Sequence, residues 1–123
     1  HGLYHSVRMQ KNGYSNTLID NILGEGLAMH FEIEVTGGKP FRHWTSIKNE
    51  ALAKVMVRAK KEFYSTNFNY DDWFFGSKAR SIPRFAGYSI GYSLVNKILK
   101  VHGATPSQLV GTRSKKLVTS ISL

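Results

Sequence analysis

Between Thr17 and about Val35, the apolar residues Leu18, Ile22, Leu23, Leu27, Ala28 and Phe31 recur at the three- and four-residue spacing of one helical face. Asn16 is placed to cap this helix, and Gly37-Gly38 to end it. A second stripe, Leu52, Val55, Met56, Ala59 and Phe63, predicts a helix capped by Ser46 and running to about Tyr64. A third helix is predicted from Pro83, which a first helical turn tolerates, through "PRFAGYSIGYSLVNKILKVH" to Gly103 as its C-cap. Residues 1–10 predict a further helix, closed by the Asn-Gly turn within "KNGYSN". "TPSQ" at 105–108 has the form of a capping box, with Thr105 as cap, Pro106 first and Gln108 third. A short helix and a basic tail are expected after it. "KPFRHWT" is expected to be a loop, as is "STNFNYDDWFFGSKARS", which is aromatic and without period and serves either function or core closure. The fold class is therefore mainly α. With 123 residues, no repeat and no linker, residues 1–123 are expected to form a single helical domain or the C-terminal part of one.

Composition narrows the chemistry. A hydrophobic fraction of 41% is that of a folded chain. No apolar run is long enough for a membrane-spanning helix. The absence of cysteine excludes disulfides and thiolate metal sites, leaving His, Asp and Glu as the strong metal ligands. With no visible signal peptide, it also favours the cytoplasm. A net charge of +9 favours acidic partners. The basic residues are dispersed, however, over Lys54, Arg58 and Lys61, the stretch 78–84, and Arg113 to Lys116, with no recognition-helix or RNA-binding pattern. A solvated surface is the simpler reading; a basic helical module for nucleic acid or an acidic protein partner is the alternative function.

The opening "HGLYHSVRM" sets His1 and His5 one helical turn apart on one face, where both imidazoles can reach one ion. Such a pair is a weak signal alone in a chain with five histidines. Glu25, in "LGEGLAMHF", lies beyond an intervening turn, at the distance an antiparallel helix needs to return a carboxylate over the histidine face. Two nitrogens, one oxygen and an open fourth position make a catalytic rather than a structural zinc arrangement. A terminal histidine could instead bind copper through its amine and ring, but the proteins that do so are β-sandwiches and this pattern is helical.

"HGLYHSVR" followed by "TLIDNILGEGLAMHF" resembles the metal-binding core of the predicted zinc-dependent protease family typified by bacterial YjaZ, with its HExxH helix and E-G-L-A segment. "SIPRFAGYSIGYSLV" resembles the family's I-P-R-x-A-G-Y-x-x-G-Y segment. The resemblance covers most of the chain in the right order. It implies a zincin-like fold, peptide-bond hydrolysis, a peptide or protein substrate, and zinc held by His1, His5 and Glu25. Elements that precede such a zinc helix, including a substrate-binding strand, have no counterpart before His1, so N-terminal elements are expected to be missing. Two departures bear on activity. Gly2 stands where HExxH hydrolases carry the glutamate that accepts the attacking water's proton, a loss of roughly 10²–10⁴-fold in rate. Met29 stands where thermolysin-like peptidases place an acid that orients a zinc-bound histidine. A metallopeptidase-like domain, weakly active or a pseudoenzyme, is the resulting expectation.

Arg84, Tyr88 and Tyr92 would form one stripe on the helix after Pro83. Facing the metal, Tyr88 or Arg84 could stabilise an oxyanion. Otherwise the tyrosines are boundary residues and Arg84 pairs with Asp71 or Asp72. Gly87 and Gly91 are expected to admit a close helix. His30 and His102 read as structural, and His43 has no assigned purpose.

Overall fold

The computed structural model describes residues 1–13 and 16–121. Tyr14 and Ser15, within the turn expected at 11–16, lie outside the described residues. The chain forms α1 (Gly2–Asn12), α2 (Leu18–Thr36), a 3₁₀ turn (Arg42–Thr45), α3 (Asn49–Lys60), α4 (Tyr70–Phe75), α5 (Ala86–His102), α6 (Pro106–Leu109) and α7 (Ser114–Thr119). Among the described residues there is no strand; an isolated bridge joins Ser77 and Ile82. The mainly α expectation holds.

α2 and α5 form the central pair, and their apolar faces supply most of one core: Leu18, Ile22, Leu23 and Leu27 against Ile90, Leu94 and Ile98, all fully buried. The two helices approach closely because Gly26 and Gly91 face one another with no side chain between them. Gly87 likewise admits a helix, α4, whose Phe74 ring packs directly on it. α1 runs antiparallel to α2, with His1 beside Glu25 and Glu32, and Arg8 and Met9 near Asp20 and Asn21. The far face of α1 is tied to the C-terminal helices. The Tyr4 hydroxyl donates to the carbonyl of Pro106 at 2.6 Å, and the buried Arg8 guanidinium donates to the carbonyls of Leu109, Val110 and Thr112.

Several boundaries differ from expectation. Thr17, not Asn16, caps α2, because Asp20 reciprocates in a capping box. α3 begins at Asn49 rather than after Ser46, since the preceding chain is held as a 3₁₀ turn by Ser89, whose hydroxyl donates to the Trp44 carbonyl and accepts from the Ile47 amide. The aromatic stretch contains α4, capped by Asn69, and its Trp73 and Phe74 close the core. α5 begins at Ala86, not Pro83: Phe85 has a left-handed φ of 65°, which ends the preceding turn. The Thr105 capping box with Pro106 and Gln108 forms as expected, and Gly103 is a left-handed C-cap.

Candidate metal centre

His1 is the N-cap of α1 and His5 lies one turn on, their ring centroids 4.9 Å apart. Glu25 projects from the middle of α2 between them. Its Oε2 is 2.9 Å from His1 Nε2, and its Oε1 is 3.2 Å from His5 Nε2. One donor atom from each residue lies within 4.8 Å of the other two. The sequence expectation that two imidazoles and a helix-borne carboxylate converge is met by this geometry. The His5 ring lies over Gly24, the residue before Glu25, where a Cβ would make an ordinary contact at 3.8 Å from His5 Cε1.

The donor set fits a zinc ion. Tetrahedral zinc with bonds of roughly 2 Å separates its ligand atoms by about 3.3 Å, near the 2.9 Å and 3.2 Å between the Glu25 oxygens and the two imidazoles. His5 Nε2 is buried and makes no hydrogen bond; Glu25 Oε1 lies 3.2 Å from it. An orphaned buried nitrogen carries a desolvation penalty that a metal bond would remove. Burial pushes the Glu25 carboxyl up, but its contacts with His1 and His5 outweigh burial and hold it down to about 2. The hydrogen bond with Glu25 raises His1 against the opposing effect of burial. Glu25 is therefore ionised at neutral pH.

Further groups surround the cluster. Glu32, two helical turns beyond Glu25, brings Oε2 to 3.5 Å from His1 Nδ1. The Trp44 ring lies 5.9 Å from that of His1. Tyr88, in the first turn of α5, is half-buried and packs edge-on against Phe74 at 5.1 Å. Tyr70 of α4 stacks on the same Phe74 at 4.4 Å. Burial first, and then the charge of Glu25, raise both tyrosines, so their hydroxyls remain proton donors. A cavity of about 240 Å³ opens beside His5 and Glu25 and continues past Ser6, Asp20 and Asn21.

Other expected residues lie elsewhere. Arg84 precedes α5, so the stripe with Tyr88 and Tyr92 does not form; its side chain is exposed, over the Phe85 ring at 5.1 Å. The acid Asp72 pairs with Arg80 instead, as does Glu62. Tyr92 stacks on His30 at 4.3 Å, and His30 Nε2 bonds the Tyr92 carbonyl, a satisfied boundary histidine as expected. His102 bonds Ser120, and His43 packs against Phe85. Met29 is fully buried and offers no carboxylate to a histidine. Gly2 is exposed, and a Cβ built on it would meet nothing within 4 Å.

Sequence reading missed Tyr70, which sits in a segment without period, and did not assign Glu32. The latter had a signal: a spacing of seven from Glu25 returns a side chain to the same helical face. No described helix is long and apolar enough to cross a membrane.

No curated protein and no solved structure matches the chain. A family model, predicted Zn-dependent protease (DUF2268), matches residues 1–119. With His1, His5, Glu25 and the 81–95 segment all inside that match, the chain belongs to the DUF2268 family of predicted Zn-dependent proteases.

Proposed function

We propose that this protein binds zinc through His1, His5 and Glu25 as a metallopeptidase-type centre acting on peptide or protein substrates, with hydrolysis weakened or lost because residue 2 is glycine. The observation that carries this reading is the convergence of two imidazole nitrogens and one carboxylate, with His5 Nε2 buried and unbonded. Bound zinc would supply Lewis acidity to a water and to a peptide carbonyl. The chain's own groups do the rest. Glu25 carries a negative charge that would offset half of the ion's charge. The Tyr88 hydroxyl, which burial and then the charge of Glu25 keep protonated, is the candidate donor for an oxyanion. Gly2 provides no proton acceptor, so the reaction lacks its general base.

Metal content tests the reading directly. Elemental analysis of the protein purified from zinc-supplemented medium is expected to give one zinc per chain, and Glu25→Gln or His5→Ala to lose it. A parent protein without zinc, also unable to take it up from a competing chelator, would overturn the proposal.

A further inference from the structure

We infer that Glu32 is the positioning residue for His1, supplying from two turns along α2 the outer carboxylate that Met29 cannot. The inference rests on the zinc reading above. His1 presents Nε2 to Glu25 at 2.9 Å and Nδ1 to Glu32 at 3.5 Å, so its two ring nitrogens face carboxylates on one helix. Without metal the two carboxylates together favour the protonated ring; with zinc on Nε2, the remaining ring proton lies on Nδ1, facing Glu32. A proton on Nδ1 is favoured by Glu32, which leaves the Nε2 lone pair for the ion. The ring has little freedom to turn away, with Trp44 at 5.9 Å and His5 at 4.9 Å.

The helix explains why the role moves. Position 29 is turned into the protein, where Met29 is fully buried, whereas position 32 returns to the face of Glu25. Glu32 is about one third exposed (35%), so its carboxylate has room to close on Nδ1. Glu34, on the same helix, is occupied elsewhere: it accepts from the Ser107 hydroxyl at 2.9 Å. It is thus a matched carboxylate without the proposed role.

The experiment uses the full chain and zinc itself. Chelator competition first establishes zinc affinity for the parent protein. Glu32→Ala is then expected to weaken zinc binding roughly 10–100-fold. Glu32→Gln, a neutral acceptor, should recover part of the loss, and Glu34→Ala should leave affinity unchanged. Nitrogen NMR of the His1 ring supplies a readout that general destabilisation does not move: an Nδ1-protonated tautomer with a slowly exchanging proton in the zinc-loaded parent, and fast exchange in Glu32→Ala. Parent zinc binding with unchanged affinity and unchanged exchange in Glu32→Ala overturns the inference alone. Equal weakening by Glu34→Ala, which would mark a general charge effect, also overturns it. Absence of zinc from the parent overturns both this inference and the reading beneath it.

Discussion

Gly26 of α2 and Gly91 of α5 are in main-chain contact: a Cβ added to Gly26 would lie 2.3 Å from the carbonyl oxygen of Gly91. The reciprocal Cβ on Gly91 would lie 2.4 Å from the carbonyl oxygen of Ile22. Neither obstacle is the end of a flexible side chain, so a methyl group must push the two central helices apart. Gly26→Ala and Gly91→Ala are each expected to destabilise the fold by about 1–3 kcal/mol or more, read from the urea midpoint. Because Glu25 is the neighbour of Gly26, Gly26→Ala should also weaken zinc binding. Unchanged stability in both variants would mean that the helices are not this close.

Arg8 is a second determinant of where α1 sits. The residue is 5% exposed, and its charge meets three carbonyls and the Ser114 hydroxyl rather than a carboxylate. Arg8→Ala leaves those carbonyls short of donors, and each charge-assisted bond is worth about 1.5–3 kcal/mol. A loss of about 3–5 kcal/mol is expected from chemical denaturation, in the range found when a buried charge network is broken. Lysine cannot reproduce the fork of donors, so Arg8→Lys should recover only a fraction.

Much of this was legible in the chain because it depends on local chemistry. The stripes of α2 and α5 follow from spacing alone, and the Thr105-Gln108 box and the Gly103 cap follow from side-chain chemistry at fixed offsets. His1, His5 and Glu25 were legible for the same reason, since helical spacing and one reversal bring them together. What escaped depends on tertiary contacts. The start of α5 is displaced by the left-handed Phe85, which follows the tight segment where a Cβ on Gly76 would lie 3.0 Å from Arg84 Cα. That displacement removes Arg84 from its expected stripe. α4 lacks a repeat because it is only six residues long, and Trp73 and Phe74 declare themselves only by burial.

The cluster gives the metal-free protein a pH signature. Glu25 is held at about 2, below its ordinary 4.5, so its contribution to stability is present above 4.5 and is lost as pH falls towards 2. His1 is raised above its ordinary 6.5, so its contribution is complete below 6.5 and is lost as pH rises past the raised value. Both act together between about 4.5 and 6.5. Glu25→Gln should therefore destabilise the metal-free protein most in that window, as followed by thermal unfolding across pH. Zinc requires His1 unprotonated, so zinc affinity should instead climb as pH rises through its titration. A zinc affinity flat from pH 5 to 8 (a span of about three units around the histidine range) would argue against His1 as a ligand.

Gly2 offers a gain-of-function prediction. It is the first residue of α1, its neighbourhood is open, and an acid in a first helical turn is favoured by the helix dipole. Replacing a helical glycine should also stabilise α1, by about 0.5–1 kcal/mol. Gly2→Glu therefore carries little structural cost and adds the carboxylate next to His1 that an HExxH centre uses as its base. In zinc-loaded protein, hydrolysis of an unstructured, quenched-fluorophore peptide is expected to rise by about 10²–10⁴-fold over the parent. Gly2→Gln, which matches the size and hydrogen bonding of glutamate without its basicity, should not rise. If Gly2→Glu binds zinc and folds as the parent does yet cleaves no faster than Gly2→Gln, the missing base is not what limits this centre.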